Sequence, residues 1–264
     1  MSFSGLARRA LIEREAIRTA KCLLLDWDGC VAIGNKVLPD AAALIARHIE
    51  RVVILSNNST DLPSDLAGIL QQSGLDLPED RIFTAGAEAV RIVAARRGAR
   101  VLLLGSPKMR RLAREMGVDL VRQDADVVLL MRDARFTYAK LMRAANAVRD
   151  GAELIATNDD RTHPGLEGRV VPETGALLAA LRACLDDTAL APLIIGKPAE
   201  LLFRRACDHL GIQPSEAVMI GYNPATDGEG ALNYGIRPIL VGGTSSLQMK
   251  DLVEPSPEKM LRTA

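Results

Sequence analysis

Leu23-Leu24-Leu25-Asp26-Trp27-Asp28-Gly29 is the stretch on which the fold turns. A short apolar run bounded by turn signals reads as a strand buried on both faces, the habit of parallel sheets. The carboxyl ends of such strands are where open α/β sheets place their ligands. Two carboxylates one residue apart at that end repel unless positive charge comes between them. A hard cation with oxygen ligands meets that need. The segment therefore points to a metal-assisted site in which one carboxylate attacks and the other moves protons. Asp-x-Asp-Gly can also open a calcium loop, but that pattern requires further oxygen ligands and a terminal Glu. Here Cys30, Val31, Ala32 and Ile33 follow instead.

Outward from this strand the same design recurs. Residues 52–55 form a second apolar run that ends in Ser56-Asn57-Asn58-Ser59-Thr60. Leu62, Leu66, Ile69 and Leu70 then fall at helical spacing, with Gly74 as a stop. Leu193-Ile194-Ile195 ends in Gly196-Lys197-Pro198, and the next helix places Leu202, Ala206 and Leu210 on one face. Residues 217–220 lead into Gly221-Tyr222-Asn223, with Asp227 close behind, and residues 238–241 end in Gly242-Gly243-Thr244. Strands alternating with helices predict an α/β fold on a Rossmann-like parallel sheet. The polar strand ends would share one sheet edge and line a crevice. The middle of the chain reads as its own α/β unit, with strands at 100–104, 127–131 and 153–156 and no such series of charged ends. It is expected as a domain inserted at 82–187, with 1–81 and 188–264 forming the core. Residues 1–20 are expected to form an amphipathic helix packed beside the first strand.

Composition narrows the partners. Lys plus Arg and Asp plus Glu each number 33, so no broad basic field is offered to a nucleic acid polymer. Aromatics are 3%, too few for a base-stacking platform. No apolar stretch approaches the ~20 residues that span a bilayer, so no membrane partner is expected. The first 20 residues mix arginines with glutamates and lack the apolar run of a secretory signal, which implies a cytoplasmic protein. Cys22, Cys30, Cys184 and Cys207 form no Cys-x-x-Cys pair and read as reduced thiols. A nucleophilic thiol at Cys30 would need a base of its own. His48, His163 and His209, the three histidines, have no recognisable sequence partner.

Four strings, in order, resemble the motifs of the haloacid dehalogenase superfamily. They are Asp26-Trp27-Asp28-Gly29, Leu55-Ser56-Asn57-Asn58-Ser59, Gly196-Lys197-Pro198, and Ile220-Gly221-Tyr222-Asn223 with Thr226-Asp227. The likeness is to the subfamily IIA phosphatases, of the p-nitrophenylphosphatase and phosphoglycolate phosphatase type, whose large α/β cap lies between the second and third motifs. Ile155-Ala156-Thr157-Asn158-Asp159, with residues 172–178 downstream, resembles that cap. The resemblance implies an Mg²⁺-dependent phosphatase that hydrolyses a small phosphorylated metabolite, such as a sugar phosphate, through an aspartyl-phosphate. Asp26 would attack phosphorus, and Asp28 would protonate the leaving oxygen and then activate water. Ser56, with Gly29, Asn57, Asn58 and nearby amides, would hold phosphoryl oxygens, and Lys197 would add positive charge. Asp26, Asp28 through its backbone carbonyl, and Asp227 would serve the metal. Asn158, Asp159, Asp160, Arg161 and His163, in a cap loop at 158–168 beside residues 173–175, would meet the leaving group. Caps of this type mediate dimers, which implies a homodimer.

One position departs from the pattern. The fourth motif ordinarily opens Gly-Asp, and here Tyr222 stands at the acidic place. A phenol of ordinary pKa ~10 is neutral at pH 7 and a poor ligand for Mg²⁺. A weakened metal site is therefore expected, and the alternative is a catalytically impaired relative that binds a phosphorylated ligand or a protein partner. Each motif also has a structural alternative. Ser56 and Asn57 are good helix caps, Lys197 before proline suits a surface, and Asp227 suits a turn. Trp27 is expected to pack. A dinucleotide oxidoreductase is excluded by the lack of a Gly-rich turn after the first strand. A phosphoacceptor signalling domain shares the strand-end acids but not the insertion.

Overall fold

The computed structural model describes residues 3–165, 167, 169–185, 192–243 and 245–253. Thr244, and Leu166 and Gly168 of the expected cap loop, lie outside the described residues. From the N-terminus come α1 (Phe3–Thr19), β1 (Cys22–Leu25), the hairpin β2 (Ala32–Ile33) and β3 (Lys36–Val37), α2 (Pro39–His48), β4 (Val52–Ser56), α3 (Pro63–Gln72) and β5 (Ile82–Thr84). Prolines open α2 and α3, where a missing N–H breaks no helical bond. Next come α4 (Ala85–Ala95), β6 (Arg100–Leu104), α5 (Pro107–Glu115), β7 (Asp119–Leu120), β8 (Val127–Leu130), α6 (Tyr138–Arg149) and β9 (Glu153–Ala156). A second hairpin, β10 (Thr162–Pro164) with β11 (Val170–Pro172), precedes α7 (Thr174–Arg182) and β12 (Leu193–Ile194). The chain closes with α8 (Leu201–Leu210), β13 (Ala217–Gly221), α9 (Glu229–Tyr234), β14 (Arg237–Leu240) and α10 (Met249–Leu252).

The first sheet runs β14-β13-β1-β4-β5, with every pair parallel. Chain order departs in both directions from β1, so β1 sits at the switch point where such sheets open a crevice. Alternate residues serve the two faces. Leu23, Leu25, Ile54 and Ile220 pack with α1, α2, α3 and α10, and Leu24, Val53, Leu55 and Met219 pack with α8 and α9. All of β1 is buried. Burying a leucine is worth about 1.5–3 kcal/mol, so Leu23 to Leu25 alone anchor the strand from which Asp26 emerges.

The second sheet runs β12-β9-β8-β6-β7, also parallel. Val101, Leu103, Val127, Leu129 and Ile155 face α4 and α5, and Leu102, Leu104, Val128, Leu130 and Leu154 face α6 and α7. The sequence starts the insertion at residue 82 and ends it at 187, but strand pairing moves both crossings. Ile82–Thr84 joins β4 in the first sheet, and Leu193–Ile194 joins β9 in the second. The chain therefore changes sheets after Thr84 and near Gly196. An apolar run identifies a strand, not its partner; Ile82 pairs with Ile54 and Leu193 with Ile155, contacts that no local pattern encodes. The two- and three-residue strands β2, β3, β7, β10, β11 and β5 are too short for periodicity to reveal. No helix among the described residues is long and apolar enough to cross a membrane.

Candidate active site

Asp26 is the first residue after β1 and is 6% exposed. Its N–H donates to Ile220 O at 2.9 Å, which pins the acid to the neighbouring strand end. Gly29, at φ +81°, turns the chain away. A Cβ at Gly29 would lie 3.0 Å from the ring of Tyr222, so the glycine serves both the turn and the close approach of that ring. Trp27 is fully buried in the core and donates from Nε1 to Asn35 Oδ1 at 3.3 Å, so it packs, as expected. Cys30 is buried with its thiol toward Ile220 O, and burial pushes its pKa well up, which keeps it an inert thiol. All four cysteines are free.

Lys197 is 1% exposed, which removes the surface-lysine alternative. Its Nζ donates to Asp26 Oδ1 and to Asp227 Oδ1, both at 2.6 Å. Burial alone would discharge the lysine, but Asp227 and Asp26 outweigh it and hold its pKa above the ordinary value. Burial raises the pKa of Asp26, the charge of Asp227 adds to this, and Lys197 opposes both. Asp227 is 1% exposed, and its Oδ2 accepts from the N–H groups of Tyr222 and Asn223 at 3.1 and 3.0 Å. It is both a turn acid and the lysine's second anchor.

The loop after β4 ties the two sheets together. Asn57 Oδ1 accepts from Lys197 N at 2.7 Å, and Asn57 Nδ2 donates to Lys197 O at 2.9 Å and to Asp160 Oδ2 at 2.8 Å. Ser56 Oγ accepts from Asn58 N, and Asn58 Oδ1 accepts from Thr60 N and Asp61 N. Neither Ser56 nor Asn57 caps α3, whose N-terminus is closed by Asp65 on Leu62 N at 2.8 Å. Gly196 is obligatory here, since a Cβ would lie 2.4 Å from Asn57 Oδ1 and 2.7 Å from Thr157 O.

The second sheet supplies the opposite wall. Asn158 is 1% exposed and donates from Nδ2 to Asn57 O at 2.9 Å, while its Oδ1 is buried with no hydrogen-bond partner among the described residues. His163, on β10, bonds through Nδ1 to Glu173 Oε1 at 2.7 Å, and Arg132 Nε is 3.5 Å from the same oxygen. Glu173 raises the His163 pKa above its ordinary value. Burial likewise raises Asp160 and Asp28, the latter against the pull of His163.

A cavity of about 50 Å³ brings these groups together. Of the residues singled out in the sequence, Asp26, Asp28, Asn57, Asn58, Asn158, Asp160, His163 and Lys197 line it. Ser56, Gly29, Asp159, Arg161 and Asp227 do not. Asp159 is exposed, and Asp160 takes the inward place because Asn57 holds it. Tyr222, Asn223 and Thr226 of the fourth motif and Glu173 beside the cap loop line it too, and Thr162 completes the lining. Their signal was position: each sits at or near the end of a strand or the start of a helix facing the crevice.

The donor chemistry fits a divalent cation through Asp26 and Asp28, two hard oxygen groups on one cavity. Asp227 is committed to Lys197 and two backbone amides, and Asn223 Oδ1 accepts from Ala225 N at 3.0 Å as a cap. Tyr222 supplies a phenol whose pKa is pushed up to about 12 by burial and by the charges of Asp26, Asp160, Asp227 and Asp28. Among the described residues, no three His, Cys, Asp or Glu side chains are grouped to hold a metal.

Known proteins resemble the chain in sequence and fold. A haloacid dehalogenase-like hydrolase family model matches residues 23–119, and a second, HAD-hydrolase-like model matches residues 194–261. A 5'-nucleotidase of Bacillus subtilis is 31% identical over 244 residues, covering 90% of this chain and 94% of its own. Among solved structures, a glycerol phosphate phosphatase of Mycobacterium tuberculosis in complex with calcium superposes with TM-score 0.79 at 26% identity, covering 91% of this chain and 77% of its own. The same phosphatase is also known in complex with magnesium. A 4-nitrophenylphosphatase of Thermotoga maritima gives TM-score 0.77 at 29% identity, covering 94% and 92%.

Proposed function

The chain belongs to the haloacid dehalogenase-like hydrolases and is a phosphatase of that family; on this premise we propose that it hydrolyses a small phosphorylated metabolite through an aspartyl-phosphate on Asp26. The observation that carries the reading is the buried Asp26–Lys197–Asp227 chain, with both ion pairs at 2.6 Å, beside Asp28 in one cavity. Lys197 draws Asp26 into a fixed orientation and offers positive charge where phosphoryl oxygens would gather. Asp26 attacks phosphorus, and the bond to the leaving oxygen breaks as Asp28 delivers a proton to it. Burial holds that proton more tightly than an exposed carboxyl would, which suits a general acid. Asp28 then takes a proton from water, which attacks the phosphorus and frees Asp26 with release of phosphate.

Asp26 and Asp28 are the residues that would hold Mg²⁺, which when bound would screen the phosphoryl charge. The unit built on the second sheet acts as the cap over the leaving group, and the protein is read as cytoplasmic and homodimeric by the same family pattern. Tyr222 favours the second reading, a relative that binds a phosphorylated ligand without turning it over. The deciding experiment is phosphate release from a panel of phosphomonoesters under titrated Mg²⁺, with Asp26→Asn as control. Release that needs Mg²⁺ and vanishes in the control is the expected result. Folded protein that is silent across the panel but binds one of its esters would favour the binding relative instead.

A further inference from the structure

Where the four-motif pattern places an acid, this chain carries the phenol of Tyr222. The exchange reverses the hydrogen-bonding sense of the position. An ionised carboxylate only accepts, so it meets a phosphoryl oxygen through a cation or not at all, whereas a phenol donates directly. The side chain is fixed at both ends. Its backbone N–H donates to Asp227 Oδ2 at 3.1 Å. Its ring crosses Gly29, with Cε1 and Cζ 3.0 and 3.2 Å from where a Cβ at Gly29 would sit. Cζ bears the hydroxyl, so the donor is carried from the end of β13 to the loop of Asp26 and Asp28, and Tyr222 lines one cavity with both acids and Lys197. That hydroxyl makes no hydrogen bond among the described residues. Lys197 has committed two of its three protons to Asp26 and Asp227, which leaves one for the oxygens of a phosphoryl group.

We propose that Tyr222 is a phosphoryl-binding residue whose Oη donates to a non-bridging oxygen of the bound phosphate. The inference rests on the phosphatase reading above. A phenol of ordinary pKa ~10 keeps its proton at pH 7, so the donor is present at working pH. Phosphoryl transfer depends on positioned groups that meet the charge on those oxygens, and a donor already fixed by Asp227 and Gly29 needs no reorganisation to do so. The hydrogen bond thus offsets part of what is lost when an acid no longer helps to hold a cation there. Tyr222 acts on the phosphoryl group itself, so its contribution is the same whatever the leaving group.

Tyr222→Phe tests this, because it keeps the ring on Gly29 and removes only the donor; an unchanged melting temperature is expected. Inorganic phosphate is the probe, titrated by calorimetry at saturating Mg²⁺. Tyr222→Phe should bind it about 10–100-fold more weakly than wild type, the strength of a hydrogen bond to a charged group. Mg²⁺ titrated without phosphate should bind both proteins equally, since a neutral phenol is a poor ligand for it. On every ester that wild type turns over, kcat/KM should fall by one common factor. Where phosphate binds wild type too weakly to titrate, that common factor decides. Equal phosphate affinity, a loss that follows Mg²⁺ affinity instead, or an unchanged kcat/KM in Tyr222→Phe overturns the assignment, and release from esters by wild type leaves the phosphatase reading standing. Wild type that neither binds phosphate nor releases it from any ester overturns both.

Discussion

Tyr222 packs its ring against Gly29, and burial, with the charges of four carboxylates adding to it, pushes the pKa of its phenol up to about 12. It is therefore a neutral donor in a place where a third anionic oxygen would otherwise face the cavity. Mg²⁺ demands near-octahedral oxygen coordination, so a site in which Asp26 supplies the carboxylate and Asp28 its backbone oxygen grips it less tightly than one with a further carboxylate. Tyr222→Asp is expected to lower the Mg²⁺ concentration for half-maximal phosphate release by about 10–100-fold, the range typical of single changes around a metal site. The titration that reads this also tests the premise. An unaltered Mg²⁺ requirement in a folded variant would show that position 222 is not what limits the metal. The substitution also removes a ring packed on Gly29, so thermal melting should accompany the assay to separate packing from coordination.

At the scale of elements, a side-chain pair reinforces the join between hairpin β10–β11 and α7, which backbone bonds from Glu173 N to Arg161 O and from Gly175 N to Asp160 O also hold. His163 comes from β10, and Glu173 is the residue before α7, accepting from Thr174 N. The bond to Glu173 raises the His163 pKa, with Asp28 adding to it and Arg132 opposing. The stabilisation is complete below the unfolded value near 6.5 and is lost as pH rises through the higher folded value. His163→Gln should therefore be less stable than wild type at about pH 6, with the gap closing by about pH 9, as read from denaturant midpoints. A gap independent of pH would mean that the pair contributes through packing alone. This join also marks where sequence reading stops. Strands such as Arg100–Leu104 and Glu153–Ala156 were legible as apolar runs between turn signals, and the acids and lysine at strand ends were legible because sheet edges collect ligands. What faces inward from an irregular loop is set by backbone course and by a distant partner. Asp160 rather than Asp159 lines the cavity because Asn57, 103 residues earlier, holds it there.

On the scale of the whole molecule, the site is the seam between two parallel sheets. The side-chain bonds across it are polar: Asn57 with Asp160, Asn158 with Asn57 O, Ser59 Oγ with Arg132 N at 3.0 Å, and Ser106 Oγ with Thr60 O at 2.9 Å. Polar seams of this kind permit relative movement. Volume points to movement as well. Pockets that hold small molecules run to about 300–1,000 Å³, and this cavity has about 50 Å³. A phosphorylated metabolite is then expected to reach Asp26 as the second-sheet wall moves back. A reversible lock tests this. Ser59 and Thr174 lie on opposite sides of the seam, both buried, with their hydroxyl oxygens 3.5 Å apart. A disulfide needs Cβ atoms about 3.5–4.5 Å apart, and its formation at this pair is read by mass. In a Cys184→Ser background, which removes the exposed thiol, S59C/T174C should lose phosphate release on oxidation and recover it with reductant. Reduced and oxidised forms of one preparation share every other change, so the comparison isolates the lock. Turnover that is the same in both forms, with the disulfide confirmed by mass, would show that substrate reaches Asp26 without the sheets parting.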